Sequence, residues 1–540
     1  MFQMSCKGQK YNYMKSTQKL GLSVLAGVLL SLAWPMAPFT LFIFIAFVPL
    51  ISIANQVTKA RQLFGYTFLS FLIWNVTATW WLWNSTGTGA VAAITANTLL
   101  MCLPWWGYFV FKKKYTSNIS LLLLAIFWLS FEYIHLNWEL SWPWLTLGNV
   151  FATNTKWIQW YEYTGIGGGS LVVLTVNIII YQLLQHILQK ATRKIISIKA
   201  ASIVALFVAV LTFNSFVTPS NTLQSASSNN VVIVQPNISP YDKFELSTAT
   251  NQIKLLINLS ERALDSNTSL IIWPETAMSV ADWQENIGTN NYYQPIFEFT
   301  NKHPGLTLIS GIETFKNYGN TKATPTARKT DNGMYYDAFN AAIAIKSGET
   351  FQLYNKSKLV PGVESLPSFL RFLAPAFEKF GGTTGGYGIS DSVSIFYNKG
   401  NPYISAPIIC YESIYGEYVG SYVKKGATLL AIITNDGWWG NTPGHKQHLA
   451  LAKLRAIETR RWVARSANTG ISAVINNKGE LLSQQPWNKA AFIKYTIPNN
   501  TELTFYVKYG DYIFKISTAL GFLFFITQIF LAMKQRFTKP

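Results

Sequence analysis

Long apolar segments constrain this chain more than any other feature of its sequence. Eight windows carry mostly apolar residues over about 17 positions or more, close to the ~20 that cross a hydrocarbon core. They cover approximately residues 20 to 36, 39 to 56, 65 to 83, 89 to 111, 119 to 135, 170 to 188, 197 to 216 and 512 to 533. Only 13% of the residues are charged, well below the roughly 25% usual in soluble domains. The sequence therefore predicts a polytopic α-helical membrane protein with eight spans.

The basic residues lie in alternate loops. The formal net charge of +19 would indicate a nucleic-acid partner in a soluble protein. Here Lys and Arg cluster before span one, between spans two and three, four and five, and six and seven, and after span eight. By the positive-inside rule both termini are cytoplasmic, and the segment between spans seven and eight is exported. Much of the positive charge therefore lies in the cytoplasmic loops and reflects membrane topology, so we expect no nucleic-acid partner.

The N-terminal start and the cysteines add two constraints. A basic start and an apolar core are also features of a signal peptide, but "SLAWPMAPF" is a poor cleavage site and seven spans follow, so we predict a retained helix. Of the three cysteines, Cys6 precedes span one and Cys102 lies inside span four. Cys410 is then alone in the exported segment, which excludes a disulfide within it.

A soluble α/β domain is predicted in the exported segment. It follows a polar linker at 217 to 230, and in it short apolar runs alternate with helical stretches near 246 to 264, 292 to 302 and 445 to 466. Buried strands interleaved with helices give this pattern. The runs are "VVIVQ", "SLIIW", "LTLISGI", "NAAIAIK", "TFQLYN", "ISAPIIC", "TLLAIIT" and "GISAVIN". We therefore place a membrane domain at 1–222, the soluble domain at 223–503, and the last span with its tail at 504–540.

Reactive side chains follow several of these runs. "SLIIWPE" ends in Glu275, "TFQLYNK" in Lys356, and "APIICYE" in Cys410 and Glu412. In α/β sheets, ligands bind beyond the strand ends, so these side chains are expected to converge. A thiol is only a few per cent ionised near pH 7, so it needs a carboxylate base, and an ammonium stabilises both thiolate and oxyanion. The pattern predicts a nucleophilic cysteine site.

The motifs "IIWPET", "YNKSKLVPGVE" and "IICYE", in this order, resemble the Glu, Lys and Cys motifs of the nitrilase superfamily. With eight spans around them, nearly the whole chain is similar to the bacterial apolipoprotein N-acyltransferases. The similarity includes "SWPWLTLGN", "VQPN", "TNDGWWG" and "HKQHLALAKLRAIETRRWVARSANTGISAVIN". The resemblance implies a nitrilase-like α-β-β-α sandwich carried on the membrane helices.

The resemblance also implies a reaction. An acyl chain would move from a glycerophospholipid, through a cysteine thioester, to the α-amine of an S-diacylglyceryl cysteine on an apolipoprotein. The expected partners are the phospholipid donor, the apolipoprotein acceptor and membrane lipids, without metal or organic cofactor. The expected location is the bacterial cytoplasmic membrane, with the catalytic domain on its periplasmic side.

The family's roles carry over onto matching positions. Glu275 would be the general base, Lys356 the electrostatic stabiliser and Cys410 the nucleophile. Glu364, Tyr411 and Glu412 would support them, with the backbone N–H of Tyr411 as an oxyanion donor. Phe244, which stands where the family commonly has Trp, and Trp438 are candidate substrate contacts. The lysine loop reads "LVPGVESLP" where "VPFGE" is usual.

Plainer readings remain open from sequence alone. Cys410 could be a buried inert thiol, Glu275 a first-turn helix acid, and Lys356 a solvated hairpin lysine; Glu364, Tyr411 and Glu412 could be ordinary surface or packing residues. His445 and His448 share a helix face, and we favour structural roles over a Cys–His dyad or a metal site. Glu132, late in span five, is either functional or locally hydrogen-bonded. Segment 366 to 388 is either a membrane-surface arm hinged at its glycines or a packed loop.

Two other functions stay in contention. A membrane-tethered amidase or nitrilase would use the same three residues with water as acceptor, and only acylation by phospholipid would distinguish it. A non-catalytic transporter or scaffold with a degenerate hydrolase domain should show broken motifs, and these are intact.

Topology provides the first test. A periplasm-dependent reporter fused at residue 225 should be active, because the charge asymmetry exports the segment 220 to 505. The same reporter fused at residue 192, between spans six and seven, should be inactive. Cytoplasmic behaviour of the fusion at 225 would overturn the predicted orientation.

Overall fold

Apolar helices dominate the N-terminal part of the chain. The structure, a computed structural model, describes residues 14–218, 229–373 and 386–537. The helices of the first segment are α1 (Ser16–Ala33), α2 (Val48–Gln56), α3 (Ala60–Thr79), α4 (Gly87–Phe111), α5 (Ser117–Leu136), α6 (Tyr161–Leu188) and α7 (Arg193–Val217). A loop of short 3₁₀ turns connects α5 to α6 and passes beneath the soluble domain.

The soluble domain contains two β-sheets. Its strands are β1 (Asn230–Gln235), β2 (Thr268–Ile272), β3 (Met278–Trp283), β4 (Thr307–Asn317), β5 (Arg328–Lys329), β6 (Tyr335–Lys346), β7 (Gln352–Asn355), β8 (Ser405–Ile409), β9 (Leu429–Thr434), β10 (Trp462–Ala467), β11 (Ala473–Ile475), β12 (Leu481–Gln484) and β13 (Ala491–Thr496). One sheet has the order β13-β1-β2-β4-β6-β5, with β3 beside β4 and β7 beside β6; the other has the order β12-β11-β10-β9-β8. In each sheet the central strands are parallel and buried on both faces.

The two sheets face each other, and helices cover their outer faces. Ile233 and Ile309 of the first sheet share a core with Ile408 and Ile432 of the second. Helices α8 (Leu246–Glu261) and α9 (Gln294–Lys302) pack on the first sheet. Helices α10 (Gly416–Lys424) and α11 (Pro443–Thr459) cover the second. This layering is the expected α-β-β-α sandwich.

The chain ends in a short helix and a long apolar one. They are α12 (Phe505–Tyr509) and α13 (Tyr512–Phe537). Among the described residues, six helices are long and apolar enough to cross a membrane, namely α1, α4, α5, α6, α7 and α13. The window at 39 to 56 forms only a shorter apolar helical stretch, Thr40–Gln56, and the window at 65 to 83 forms the 20-residue α3 followed by a 3₁₀ turn. The chain is thus a multi-pass membrane protein, and the count of eight spans stays a prediction.

The long helix predicted from 445 to 466 is shorter in the structure. It ends at Thr459, because Arg460 adopts a left-handed conformation with φ of 51°, and residues 462–467 form β10. The apolar spacing of this stretch suits a helix as well as a strand, but pairing with β9 on one side and β11 on the other selects the strand. Short strands β3, β5, β12 and β13 are also absent from the sequence prediction.

Helix α11 joins the sandwich to the membrane helices. Leu449 and Ala452 belong to the core of the sandwich, whereas Leu451 and Leu454 lie in the core formed by the membrane helices. Apart from the exposed Lys446, nearly all of α11 is buried, so the helix lies between the two domains and not at a water-facing surface. The soluble domain and the membrane domain therefore share a continuous apolar contact.

Arg460 fastens this junction with polar contacts. Its guanidinium donates to the backbone and side-chain oxygens of Gln159, at 2.8 and 2.6 Å, and pairs with Glu162. It also donates to the carbonyl of Val217, at the C-terminus of α7, where the helix dipole favours a cation. One buried side chain thus connects β10 to α6 and α7.

Replacing Arg460 should loosen the junction. Arg460→Ala leaves several buried acceptors without a donor and should lower the stability by about 3 kcal/mol. The measurement is the midpoint of thermal unfolding in detergent. Arg262→Ala, at an exposed position beyond α8, is the matched control and should change little. Equal midpoints for the two variants would contradict the assigned role.

Candidate active site

The Glu275 carboxylate is held between the two sheets. After β2 ends, Trp273 donates its N–H to Ile309 at 2.8 Å, so the loop continues beside β4. A Cβ on Gly311 would lie 2.2 Å from the backbone nitrogen of Thr276, so only glycine allows this close approach. The carboxylate accepts from Asn340 of β6 at 2.8 Å and from the N–H of Asn435, after β9, at 3.0 Å.

Lys356 lies between two carboxylates. It follows the short strand β7 and is 1% exposed. Its ammonium is 3.3 Å from Oε1 of Glu275 and 2.7 Å from Oε1 of Glu364. Glu364 also accepts from Asn340 and from the N–H of Val360. Burial alone lowers the pKa of Lys356, but the two carboxylates together raise it well above its ordinary value. The lysine is therefore a fixed positive charge.

Cys410 follows β8 in a tight turn. Its φ of 50° lies in the left-handed region, which non-glycine residues seldom adopt. Burial raises the pKa of its thiol and the charge of Glu275 raises it further, whereas Lys356 lowers it. The side chain of Thr434, at the end of β9, also lowers the pKa of the thiol. The thiol is thus protonated at rest beside a carboxylate and an ammonium.

Glu412 connects the turn of Cys410 to the loop of Lys356. Its Oε2 accepts the N–H of Ile409, the last residue of β8, at 2.9 Å. Its Oε1 accepts the N–H of Ser357 at 2.7 Å and the hydroxyl of Tyr354 at 2.6 Å. Burial raises the pKa of this carboxyl group. Glu412 therefore holds the turn of Cys410 and the loop of Lys356 together.

A buried network contacts the Cys410 turn, and the sequence analysis did not connect its members. Nε2 of His448 is 3.3 Å from the carbonyl oxygen of Cys410 and 3.0 Å from Oγ of Ser413. Nδ1 of His448 is 2.9 Å from Asp436, which pairs at 2.7 Å with Arg465. The motif "TNDGWWG" contained Asp436, but only the fold brings Arg465 to it. His448 contacts the nucleophile's backbone, which fits the structural role favoured from sequence.

Lys243 is a second residue that sequence reasoning missed. It is fully buried, and its ammonium donates to the backbone oxygen of Glu275 at 2.6 Å and to Oγ1 of Thr276 at 2.7 Å. Burial lowers its pKa to about 7, although Glu275 opposes the shift. It therefore braces the turn that presents Glu275, where Thr276 has a φ of 47°. A lysine beside Phe244 gives no sequence signal for burial.

The remaining candidates lie at the edge of the site or away from it. Tyr411 directs its hydroxyl to the carbonyl of Ser141, in the loop between α5 and α6. Phe244 is 44% exposed, and Trp438 is 36% exposed against the ring of Tyr241. In the described part of the chain, no hydrogen bond joins these three side chains to Glu275, Lys356 or Cys410.

Three other features have defined surroundings. Glu132 is locally hydrogen-bonded, accepting from Leu147 N at 2.7 Å and from the indole of Trp128, and His445 packs on Trp487. Of segment 366 to 388, residues 374–385 lie outside the described residues, and Ser368 is bound to Glu139. Within the described ranges, no group of three His, Cys, Asp or Glu side chains could hold a metal ion.

Comparisons with known proteins identify the class of this protein. The carbon-nitrogen hydrolase family model matches residues 230–504, which defines the class as nitrilase-like. The model for the apolipoprotein N-acyltransferase N-terminal domain matches residues 26–179. The chain belongs to the carbon-nitrogen hydrolase family and, within it, to the apolipoprotein N-acyltransferases.

Relatives align over nearly the full length. An apolipoprotein N-acyltransferase of Chlorobaculum tepidum is 28% identical and covers 91% of this chain and 92% of its own. One of Geobacter metallireducens is 25% identical, with 91% of each chain covered. A solved amidase from Nesterenkonia sp. covers 52% of this chain and 95% of its own, at 15% identity and a TM-score of 0.35, which is too low to bear on fold or function.

The rate of thiol alkylation should show how strongly the charge of Lys356 lowers the pKa of Cys410. Lys356→Met removes the positive charge that lowers the pKa of Cys410, so the thiolate fraction falls at every pH below that pKa. Iodoacetamide should therefore modify Cys410 at least about tenfold more slowly, equivalent to one pKa unit or more. The measurement is the time course of mass labelling on the peptide containing "IICYE". Lys346→Met, at the end of β6, is the control; equal rates in both variants would contradict the arrangement.

Proposed function

We propose that this protein transfers a fatty acyl chain from a glycerophospholipid to the N-terminal α-amine of S-diacylglyceryl-cysteine apolipoproteins. The observation that carries the proposal is the buried Lys356 between two carboxylates, next to the Cys410 turn, in a chain that aligns from end to end with apolipoprotein N-acyltransferases. Such a site supplies a nucleophile, a base and an electrostatic stabiliser, which are the three parts that acyl transfer requires.

The first half-reaction acylates the enzyme. Glu275 takes the proton of Cys410 as the sulfur attacks the ester carbonyl carbon of the phospholipid. Lys356 stabilises the developing negative charge. The ester C–O bond then breaks, Glu275 returns the proton to the departing oxygen, and a lysophospholipid leaves an acyl group on the sulfur.

The second half-reaction forms the amide. The neutral α-amine of the apolipoprotein attacks the thioester carbon, and Glu275 accepts a proton from the nitrogen. The C–S bond breaks and the proton passes to the sulfur, which restores the thiol. Glu412, Glu364, Lys243 and the His448 network are positioning residues in this scheme, because each acts through another group.

In the proposed topology the chain crosses the bacterial inner membrane eight times, and the sandwich lies on the periplasmic side. Six are the long apolar helices; α3 and the stretch Thr40–Gln56 complete the count. The latter stretch, at about 1.5 Å per residue over 17 positions, reaches roughly 25 Å, slightly short of the ~30 Å hydrocarbon core. The alternating basic loops support an odd number of crossings before the sandwich.

A membrane-tethered amidase remains the second candidate. The same three residues could cleave a C–N bond with water as acceptor. The match of residues 26–179 to the acyltransferase N-terminal domain favours a lipid donor instead.

Accumulation of an acyl-enzyme tests the proposal. Phospholipid supplied without apolipoprotein should leave a hydroxylamine-sensitive acyl group on Cys410, measured as a mass increase on the "IICYE" peptide. A diacylglyceryl-cysteine peptide should then discharge it and become amide-linked. Cys410→Ser should transfer little or nothing, since an alkoxide forms far less readily than a thiolate at neutral pH.

Two outcomes would contradict this scheme. Undiminished transfer by Cys410→Ala would exclude the thioester route. Discharge of the acyl group to water at the same rate with and without the peptide would favour the amidase reading. Cys102→Ala, with its thiol inside α4, serves as the control and should retain the mass increase on Cys410.

A further inference from the structure

A cavity of about 240 Å³ lies where the sandwich meets the membrane helices. We call it the junction cavity, and its polar lining comprises Lys358, Tyr418, Ser421, Asn137, Glu417 and Asp511. Lys358, Tyr418, Ser421 and Glu417 belong to the sandwich. Asn137 follows α5 directly and Asp511 precedes α13 directly, so the cavity lies at the ends of two long apolar helices. In a membrane this is the level of the phospholipid headgroups.

Lys358 is the cation of the junction cavity. Its ammonium lies over the rings of Tyr415 and Tyr418, at 5.3 and 5.7 Å from their centroids. In the described part of the chain it forms neither an ion pair nor a side-chain hydrogen bond. Burial lowers its pKa, against the charges of Glu412 and Glu417. Three N–H donors are thus available to an anion at a partly desolvated position.

The two carboxylates on the wall are already engaged. Glu417 is paired with Lys515 of α13. Asp511 accepts the hydroxyl of Tyr506 at 2.7 Å, and burial raises its pKa to about 6. Neither group forms an ion pair with Lys358, so the positive charge of Lys358 faces the cavity. A compact ammonium flanked by hydroxyl and amide donors suits a phosphate oxygen.

The junction cavity is connected to the catalytic residues. Lys358 follows Lys356 by two positions, which extended chain spans in about 7 Å. The N–H of Lys358 and the hydroxyl of Tyr418 both point to Oε1 of Glu412, each at 3.3 Å. The other oxygen of Glu412 holds Ile409, beside Cys410. The Lys358 loop and the Cys410 turn are therefore joined through one carboxylate.

We propose that the junction cavity binds the phosphodiester of the donor phospholipid, with Lys358 contacting the phosphate. The inference rests on the proposed function, which makes the donor a glycerophospholipid. Anchoring the phosphate here would orient the glycerol so that an ester carbonyl reaches Cys410. The phosphate of the lipid would thus be bound at the membrane surface, while its acyl chains stay in the apolar region.

The experiment compares two acyl donors on the full-length protein in detergent micelles. One is a phospholipid, and the other is the p-nitrophenyl ester of the same acyl chain, which has no phosphate. Acylation of Cys410 is followed for each donor. Lys358→Met should raise the KM for the phospholipid about tenfold, and raise the ratio of the phospholipid KM to the ester KM by nearly the same factor. Lys358→Arg, which keeps the charge, should recover most of the loss.

Further variants separate the cavity from the catalytic loop. Ser421→Leu narrows the cavity from α10 and leaves the charge of Lys358 in place, and it should raise the same ratio. Lys302→Met, at an exposed position at the end of α9, should leave the ratio unchanged.

The outcomes distinguish this inference from the function on which it rests. An equal rise in KM for both donors in Lys358→Met would mean that Lys358 only supports Lys356, and this result would overturn the inference. Inhibition by inorganic phosphate that is equal for both donors and lost in Lys358→Met would assign the cavity to a free phosphate, not a lipid. No acyl-enzyme from either donor in the unmodified protein would instead refute the proposed function.

Discussion

The ion cluster of Lys356 with Glu275 and Glu364 is the constraint on which the rest of the site depends. An ammonium and two carboxylates removed from water cost several kcal/mol per ion unless each is paired and hydrogen-bonded. Here the partners come from separate elements: Lys356 follows β7, Glu275 follows β2, and Asn340 of β6 bonds both carboxylates. Strands β2, β6 and β7 all belong to the first sheet, so this sheet must be assembled before the cluster can form. The N–H of Asn435, after β9 of the second sheet, then donates to Glu275.

The same cluster determines how the thiol is activated. A buried thiol beside a carboxylate keeps its proton, and Lys356 only partly offsets this effect. The resting site therefore stores no reactive thiolate, and proton transfer must accompany attack on the acyl donor. This suits the proposed location of the sandwich outside the cytoplasm, where a permanently ionised thiol would be open to oxidation.

The meeting of the three candidate catalytic residues was predictable because they sit at strand ends within short motifs. Glu275, Lys356 and Cys410 each follow an apolar run, and sheet topology brings such positions together. Their supports were not predictable, since they depend on long-range packing. Nothing local marks Lys243 as buried, and Arg465 meets Asp436 only because β10 pairs with β9. The predicted helix ran into β10 for the same reason, because pairing partners, not local spacing, decide that strand.

The membrane half positions the chemistry as much as the sandwich does. Helix α11 contributes to both cores, Arg460 bonds α6 and α7, and Tyr411 bonds the loop between α5 and α6 through Ser141. Since Tyr411 is the next residue after Cys410, that last contact fixes the nucleophile's height relative to the helix ends. If the sandwich moved freely relative to the membrane helices, Cys410 would not keep this height. In the proposed reaction, the shared core thus holds the buried charge cluster, which the strands of the first sheet assemble, at one depth relative to the membrane helices.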